Sequence, residues 1–446
     1  MKLRIHGAEQ IVQVVSNGAR FLTGTAMREI AVLHAKPLPA ELSPMPKDHL
    51  ATPQKDGLTV IVNDDGLIHD LGYDSDLKIK YRDCQFAQSL DVTGQTILPG
   101  LVDGHTHPVW TGDRVHEFAL KLAGATYMEV HAAGGGIHFT VNHCRASSHE
   151  ELLDSLLPRL QEMVQSGTTT VECKSGYGLD VDTEMKLLQV LQSASERVPL
   201  EISATFCGAH AVPKGSTATL ASQDVIDVQL PRLISLKKQG QLTTCENIDV
   251  FCEKGVFDLD QSRAILVAGQ KAGLKINFHG DELNCLNSAE MGAELQAEAI
   301  SHLEEISPQG IKAMALSGSV AVILPTTAYI LRLKSPPVRQ MIDQGVVVAL
   351  GSDFNPNAYC LAMPTVMHLA CVNQRLSMDE ALVAATINAA HSLGRGNTHG
   401  SVEIGKMADL LVINAPRWEH LIYRLGAHSS LISMVLKAGN IAYQKR

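Results

Sequence analysis

The sequence predicts an α/β protein, in which a (β/α)8 TIM-type barrel carries a small composite β-sandwich domain built from both chain ends. The first observation is that eight short apolar runs alternate with amphipathic helical segments, which is the number of units in such a barrel. The second is that turn-separated strand patterns precede and follow this region. We therefore assign residues 94–397 to the barrel, and residues 1–93 together with 398–446 to the β domain.

Eight apolar runs predict the strands of the barrel. Their continuous Val, Ile and Ala character is typical of parallel strands that are buried on both faces. The capping-box pattern Ser148–Glu151 predicts the start of one intervening helix. An open doubly wound sheet is the alternative, but no GxGxxG motif follows a first strand. The eight runs are 97–107, 168–174, 201–210, 248–252, 275–281, 299–304, 319–326 and 346–353.

Both chain ends carry strand patterns of a different kind, shorter and broken by turns. Between them, the Pro-, Lys- and Asp-rich residues 35–57 predict an inserted surface loop. Because these patterns flank the barrel, we expect them to meet in one small domain. The predicted strand segments are 11–15, 29–33, 58–62 and 66–69 before the barrel, and 409–414 and 432–443 after it.

The composition excludes several classes of protein. The 446 residues carry a formal net charge of -10, which argues against a general nucleic-acid binder because no basic surface is implied. No apolar stretch reaches the ~18 residues that a membrane helix needs. The 9 Cys are scattered without a CxxC pair, as in a reducing compartment, and Met1–Gln10 show no targeting pattern. We therefore expect a cytoplasmic protein whose partner is a small molecule rather than a nucleic acid or a membrane.

Metal-binding residue types occur where the predicted barrel strands end, and the C-terminal strand ends form the active-site face of such barrels. His105 and His107 are two residues apart and therefore share one face of the first strand. His279 lies at the end of the fifth strand and Asp353 at the end of the eighth. Singly each has an ordinary alternative, a core histidine or an Asx-turn, but together they predict a site for zinc or iron. Since His279 completes a mononuclear set, Lys174 is expected to contact substrate or form an ion pair rather than to bind metal as a carbamate.

Three further charged residues at the strand ends have more than one role open to them. Glu282 is either a proton carrier close to the metal or a solvated loop carboxylate. His302 is a fifth ligand, a catalytic acid or base, or a buried structural histidine. Arg114 has the planar fork that binds a carboxylate, and its alternative is a surface ion pair with Asp113 or Glu117.

Longer motifs give a resemblance to a known family. The stretch 98–107, LPGLVDGHTH, resembles the first-strand signature of the amidohydrolase superfamily, and 405–413, GKMADLLVI, resembles its terminal signature. Within that superfamily the chain is similar, over most of its length, to the imidazolonepropionase family. The blocks that carry this second resemblance are 110–114, 172–178, 207–210, 278–282, 301–305, 324–329 and 351–357.

The resemblance implies a hydrolase of histidine degradation that opens the ring of 4-imidazolone-5-propanoate to give N-formimidoyl-L-glutamate. It implies one divalent or trivalent ion per subunit, zinc or iron, and a homodimer as the default assembly. The implied metal ligands are His105, His107, His279 and Asp353. The implied substrate-binding residues are Arg114, Tyr177, His210, Glu282, Asn355, Asn357 and Ala358. The proton-transfer residues are expected among Glu282, His302 and Asp353, with the division of work between them left open.

Two other functions compete with this one. A related aminohydrolase, of the guanine or cytosine deaminase type, would use the same metal set to expel ammonia from a heterocycle. Arg114 and the block 175–178 weigh against it, because they suit a substrate with a carboxylate. A non-catalytic scaffold is the second alternative, but such proteins usually lose ligands and all four candidates are present here.

Overall fold

The structure, a computed structural model, describes residues 1–37, 55–124 and 135–445. In the described residues nine short strands precede the barrel. These strands are β1 (Leu3–Ala8), β2 (Gln10–Val14), β3 (Ala31–His34), β4 (Lys36–Pro37), β5 (Lys55–Asp56), β6 (Leu58–Val62), β7 (Ile68–Tyr73), β8 (Gln88–Asp91) and β9 (Thr96–Pro99). Strands β6 and β9 are buried throughout, whereas β1 and the start of β7 alternate between buried and less buried positions, as strands do when one face of a sheet packs on a core.

The next eight strands form the predicted parallel barrel in sequential order, β10 to β17. Nearly all of their residues are buried, as expected for strands covered by side chains inside and helices outside. Backbone hydrogen bonds join the two ends of the sheet, from His107 N to Phe354 O (2.9 Å) and from Asp353 N to His105 O (2.9 Å). The strands are β10 (Leu101–Asp103), β11 (Thr168–Lys174), β12 (Glu201–Ala209), β13 (Cys245–Cys252), β14 (Lys275–Gly280), β15 (Ala299–His302), β16 (Val320–Ile323) and β17 (Val347–Leu350).

Helices cover the outside of the barrel. The helix at His149–Gln165 begins as predicted, because the Ser148 side chain and Glu151 form a reciprocal capping box. Among the described residues, no helix combines the length and apolarity that a membrane crossing requires. The α-helices are Asp74–Lys80, Val115–Leu122, Ile137–Ala146, His149–Gln165, Val181–Ser195, Ala218–Asp224, Leu230–Lys238, Leu259–Lys271, Ser288–Glu294, Pro308–Ser317, Pro325–Leu331, Val338–Asp343, Met363–Gln374, Met378–Ala384, Ile387–Ser392, His420–Tyr423 and His428–Leu431.

Two sheets from both chain ends make the β domain. The C-terminal strands are β18 (Leu410–Ile413), β19 (Ile432–Lys437) and β20 (Asn440–Gln444). One sheet has the order β7-β6-β1-β8, and the other has the order β20-β19-β18-β9-β2-β3. Leu3 and Val60 of the first sheet share one apolar cluster with Ile11, Val412 and Leu436 of the second. The predicted composite sandwich is therefore confirmed, and the domain limits 1–93, 94–397 and 398–446 remain our proposal.

The predicted first barrel strand, 97–107, is wrong as a single element. It divides into β9, which pairs with β18 in the sandwich, and β10, which pairs with β11 in the barrel. The break falls at Gly100, whose N–H donates to Asp409 O (2.8 Å) and whose absent Cβ would lie 2.3 Å from the Thr169 hydroxyl oxygen. The two histidines of the HxH motif consequently follow the strand instead of ending it.

The predicted loop at 35–57 is only partly described, since residues 38–54 lie outside the described residues. Its two ends form the antiparallel pair β4–β5, with Lys36 opposite Asp56 and Pro37 opposite Lys55. The described part of this loop thus belongs to the β domain, away from the C-terminal strand ends of the barrel.

Candidate metal centre and substrate cavity

The four predicted ligands converge at the C-terminal end of the barrel, and we call them the metal cluster: His105, His107, His279 and Asp353. The Nε2 atoms of His107 and His279 are 3.2 Å apart. Asp353 Oδ1 lies 3.5 Å from His105 Nε2 and 3.8 Å from His107 Nε2. All four side chains are buried. Three imidazole nitrogens and a carboxylate oxygen therefore face one small volume, from strands that are far apart in sequence.

The outer atoms of three of these ligands are held by hydrogen bonds that leave the inner atoms facing a common centre, whereas His107 Nδ1 has no hydrogen-bond partner among the described residues. His105 Nδ1 is bonded to Ser301 Oγ (2.8 Å), and His279 Nδ1 is bonded to Asp249 Oδ1 (2.9 Å). Asp353 Oδ2 accepts from the Thr327 hydroxyl (2.5 Å). In the described part of the chain, His105 Nε2 has no hydrogen-bond partner although it is buried. Burying a nitrogen lone pair next to other lone pairs without a partner costs free energy, and a bound cation would remove that cost. Three imidazole nitrogens and one carboxylate oxygen are a ligand set that suits zinc or iron.

Backbone strain accompanies the strand ends that carry the site. Asp353 (φ 47°) and His302 (φ 78°) both adopt the left-handed region, which side chains other than glycine rarely occupy. Asp103 supports this geometry, because its carboxylate accepts from the Ser352 N–H (2.8 Å) and hydroxyl (2.5 Å). Asp103 thereby ties the segment before His105 to the segment before Asp353. Such strain persists only where the surroundings hold it, and it is typical of functional sites.

The electrostatics keep the ligand histidines neutral. Burial, followed by the Lys174 ammonium, holds the pKa of His105 well below its ordinary value. Burial, followed by His210, does the same for the pKa of His107. Burial also lowers the pKa of His210 to about 3. A neutral imidazole is the form that binds a metal, so the site is prepared for one near neutral pH.

Glu282 and His302 form a second titratable pair beside the metal cluster. His302 Nε2 lies 3.6 Å from Glu282 Oε2, and His302 Nδ1 lies 3.6 Å from Glu304 Oε2. Burial raises the pKa of Glu282 to about 7, although the neighbouring His302 opposes the rise. Burial lowers the pKa of His302, but the Glu282 and Glu304 carboxylates outweigh it and raise that pKa. A carboxyl that titrates near neutrality can both accept and release a proton, which is the chemistry required of a general acid or base.

A cavity of about 750 Å³ opens in front of these groups. Phe251, Val256, Leu331 and Leu333 give it an apolar wall. Ala358 is buried and is not among the lining residues; it exchanges backbone hydrogen bonds with Asn355 (3.2 and 3.3 Å). The sequence-predicted residues that line the cavity are His107, Arg114, Tyr177, His210, His279, Glu282, His302, Asp353, Asn355 and Asn357.

Arg114 combines both of the roles expected for it. Its Nε and Nη2 donate to the two carboxylate oxygens of Glu117 (2.8 and 2.7 Å), so the predicted ion pair is present with Glu117. Asp113 instead accepts from Val115 N (2.8 Å). Arg114 still lines the cavity, with 9% of its side chain exposed. The Glu117 carboxylate occupies the Nε–Nη2 edge of the guanidinium, and Nη1 has no hydrogen bond to another described residue.

Behind the site lies a group of buried charges that the sequence reasoning mostly missed. Lys174, left open between substrate contact and ion pair, forms ion pairs with Glu172 (2.7 Å) and Asp249 (2.8 Å). Asp249 lies inside a predicted strand, and a lone carboxylate in the otherwise apolar run Ile248–Cys252 is the sequence signal for it. Glu304 follows His302 in the sequence HLE and has no role in the prediction.

Comparisons with known proteins show the family to which the chain belongs. A model described as "Amidohydrolase family" matches residues 96–442. The probable imidazolonepropionase of Nematostella vectensis is 56% identical over 444 residues, which cover 100% of this chain and 99% of that protein. The probable imidazolonepropionase of Mus musculus is also 56% identical, with the same coverage of 100% and 99%.

A solved structure, that of an adenosine deaminase from Xanthomonas campestris with bound Zn, superposes with a TM-score of 0.71. The superposition covers 99% of this chain and 92% of that chain at 17% identity, which shows a shared fold and no more. The family match and the full-length relatives show a closer relationship than this structural similarity does. The chain belongs to the amidohydrolase family of metal-dependent hydrolases and, within it, to the imidazolonepropionases.

Proposed function

We propose that this chain hydrolyses the cyclic amide of 4-imidazolone-5-propanoate to N-formimidoyl-L-glutamate, a step of histidine degradation. The observation that carries the proposal is one cavity that joins the metal cluster to the Glu282–His302 pair and to Arg114. Hydrolysis of a ring amide needs an activated water, a proton for the leaving nitrogen and, for this substrate, a partner for the carboxylate. The names of the full-length relatives support the same reaction.

The metal cluster would hold one zinc or iron ion per subunit. Such an ion, when bound, supplies the Lewis acidity that activates water near neutral pH and polarises the ring carbonyl. The proposed ligands are His105, His107, His279 and Asp353. The Nε2 atoms of His107 and His279 are 3.2 Å apart, and Asp353 Oδ1 lies 3.5 Å from His105 Nε2 and 3.8 Å from His107 Nε2. The neutral histidines suit this task because a protonated imidazole has no lone pair to give.

The cavity residues would bind and orient the substrate. Arg114 would hold the propanoate through the guanidinium side not used by Glu117. His210 stacks on His107 with ring centroids 4.6 Å apart, and its Nδ1 is bonded to Gly176 O (3.0 Å). Its Nε2 is therefore available to the imidazolone ring, next to Tyr177. Asn355 and Asn357 line the opposite part of the cavity, and Ala358 would act only through its backbone contact with Asn355.

The proton transfers would use the Glu282–His302 pair beside the metal cluster. Hydrolysis forms a bond from the water oxygen to the ring carbonyl carbon and breaks the bond from that carbon to nitrogen. One water proton must leave, and one proton must reach the departing nitrogen. Asp353 is placed to take the first, and Glu282 to deliver the second. Despite burial, the neighbouring carboxylates raise the pKa of His302, which would stabilise the developing oxyanion in its protonated form. Orientation of all three around one reacting carbon is what the enzyme contributes beyond water activation.

The experiment that tests this function measures metal content and then the loss of imidazolone absorbance. We expect Glu282→Gln to retain metal and lose turnover by about 100-fold or more, because it keeps the shape of the side chain but carries no proton. Normal turnover in this variant would contradict the proton-carrier role. Ammonia release from guanine or cytosine, without activity on the imidazolone, would favour an aminohydrolase instead.

A second variant tests the carboxylate partner. Arg114→Ala is expected to raise KM while leaving kcat comparatively unchanged, because the guanidinium binds a part of the substrate that does not react. Arg263→Ala is the matched control, since Arg263 is half-exposed and pairs with Glu294, and neither residue lines the cavity. A KM equal to that of wild type in Arg114→Ala would contradict the proposed clamp.

We also propose a cytoplasmic location and a homodimer. The scattered free cysteines support the first, because they suit a reducing compartment. The second rests on the assembly common among related barrels. Light scattering of the purified protein tests the dimer, and a mass of 48.1 kDa in solution would contradict it. Cell fractionation tests the location.

A further inference from the structure

A row of buried charges lies behind the metal cluster, and we call its members the charge row: Glu172, Lys174 and Asp249. The Lys174 ammonium lies between the two carboxylates, 2.7 Å from Glu172 Oε1 and 2.8 Å from Asp249 Oδ2. None of the three side chains has exposed surface. Burying three charges costs more than burying three apolar groups, so a reason for keeping them must lie in what they contact.

Asp249 contacts the metal cluster directly through His279. Its Oδ1 lies 2.9 Å from His279 Nδ1 and accepts from the His279 backbone N–H (3.0 Å). When Nδ1 carries the proton and donates it to Asp249, Nε2 carries the lone pair. That Nε2 atom is the one that lies 3.2 Å from His107 Nε2, inside the cluster. The carboxylate therefore selects both the ring orientation and the tautomer that a metal requires.

The other end of the row contacts the segment between the remaining histidine ligands. Glu172 Oε2 accepts from the backbone N–H of Thr106 (3.2 Å), and the Thr106 hydroxyl donates to Glu172 O (2.6 Å). Glu172 also accepts from the Thr205 hydroxyl. Thr106 stands between His105 and His107, so the charge row connects the HxH segment with His279 across the barrel interior.

We propose that Asp249 is a positioning residue that presents His279 Nε2 to the metal, and that the Lys174 ammonium holds Asp249 in place for this purpose. The inference deepens the proposed function and rests on its metal site. It gives a role to two buried residues, Asp249 and Lys174, that neither line the cavity nor take part in the proton transfers. Lys174 completes the arrangement because its ammonium is the group that lets two carboxylates lie so close together.

The test uses the apo protein and Zn²⁺ alone, with the dissociation constant measured by competition against a chelator. Asp249→Asn keeps the size of the side chain, but its amide donates towards Nδ1 and favours the tautomer with a proton on Nε2. We expect Zn²⁺ to bind about 10- to 100-fold more weakly. The absorption spectrum of the Co²⁺-loaded variant is expected to change, because that spectrum reports ligand number and geometry.

Glu172→Gln is the matched control. It removes one negative charge from the same row, on the other side of Lys174, but it does not touch His279. If the row acted only through its charge, both variants would weaken Zn²⁺ binding equally. Positioning predicts a much smaller effect for Glu172→Gln and a Co²⁺ spectrum like that of wild type. Asp249→Ser, which also removes both carboxylate oxygens, gives the same comparison if Asp249→Asn does not fold.

Two results would overturn the inference: an unchanged Zn²⁺ dissociation constant in Asp249→Asn, or equal losses in Asp249→Asn and Glu172→Gln. Both require wild-type protein that binds one equivalent of Zn²⁺. Wild-type protein that binds no metal would instead refute the metal site of the proposed function. The two failures are therefore distinguishable in one set of titrations.

Discussion

Both ends of the barrel gather histidine and carboxylate groups. Among the described residues, lysine and arginine neutralise the carboxylates at the N-terminal end, whereas Asp353 at the C-terminal end has no such ion pair. At the C-terminal end, the metal cluster has three imidazole nitrogens and one carboxylate oxygen facing each other. At the N-terminal end lies a set that we call the basal network: Glu201, Arg395, His399, Asp409 and Lys437. In it Glu201, His399 and Asp409 are also close enough together to share an ion.

The difference lies in the side chains between the acids. Lys437 Nζ is 2.6 Å from Asp409 Oδ2 and 3.0 Å from Glu201 Oε2, and the Arg395 guanidinium also bonds to Glu201. Those cations already satisfy the carboxylates. Beside the metal cluster, Lys174 forms ion pairs with Glu172 and Asp249 and not with Asp353. Close histidines and acids thus indicate a metal site only where no cation of the protein stands between them.

Removing the metal gives the largest expected difference between the two ends. Treatment with a chelator should lower turnover of wild-type protein by more than about 1,000-fold, and Zn²⁺ should restore it, because no other group in the site activates water as strongly. Turnover and metal content are the measurements. Glu201→Gln is the control, and its metal content should equal that of wild type. Full turnover in metal-free protein would contradict the proposal that the C-terminal end of the barrel holds a catalytic metal.

A smaller effect is expected at the same end from Thr327→Val. The variant removes the hydroxyl that donates to Asp353 Oδ2 (2.5 Å) and so frees the carboxylate to rotate. We expect turnover or Zn²⁺ affinity to fall by about 10-fold, as for other hydrogen-bond partners of metal ligands. Thr326→Val is the matched control, because that hydroxyl bonds only to Ser352 O. Equal effects from both variants would show general loss of packing instead.

At the opposite end, Lys437→Met should affect stability and not turnover. It leaves Glu201 and Asp409 with one cation fewer in a partly buried setting, which should lower the free energy of unfolding by about 1–3 kcal/mol. Urea denaturation measures this, and kcat on the imidazolone is the second readout. A variant with wild-type stability but reduced metal content would show that the basal network serves the metal centre.

The smallest expected effect concerns acid stability. Burial raises the pKa of Glu201, but His399, Lys437 and Arg395 outweigh it and lower that pKa below its ordinary value. A carboxyl with a lowered pKa in the folded state stabilises the fold above its unfolded pKa of about 4.3, and this contribution is lost as the pH falls. Glu201→Gln should therefore be less stable than wild type at pH 7, with a difference that shrinks below about pH 4.5. Urea midpoints at several pH values measure it, and a difference that grows on acidification would contradict the sign.

The sequence predicts that the four residues of the metal cluster converge, because each lies at or near the end of an apolar run. Parallel strands of a barrel bring their C-terminal ends to one face, so local patterns suffice to place His105, His107, His279 and Asp353 together. The exact ends of the strands are harder to predict from the sequence. The first predicted strand ran through Gly100, where only a tertiary contact, with Asp409 and Thr169, divides it between two sheets.

The charge row could not be predicted in the same way. Its members lie on strands β11 and β13, which β12 separates in the sheet. The ion pair between Lys174 and Asp249 therefore depends on side-chain lengths across the barrel interior. Likewise, the sequence left open whether Arg114 pairs with Asp113 or Glu117. The helix Val115–Leu122 decides this, because it turns Glu117 back towards Arg114 while Asp113 bonds to the first helical N–H.

The short link at Gly100 has a consequence for the order in which the protein is completed. The HxH segment follows β10 directly. On one side β9 pairs with β18, and the Gly100 N–H donates to Asp409 O, so both partners are synthesised long after them. Asp353 emerges roughly 250 residues after His105, which corresponds to about 12–50 s of chain elongation. Shorter chains therefore contain two of the proposed histidine ligands without the carboxylate and without β18. Loading of the full proposed ligand set requires synthesis beyond Asp353, and loss of β18 would remove a pairing partner of β9 next to the start of the barrel.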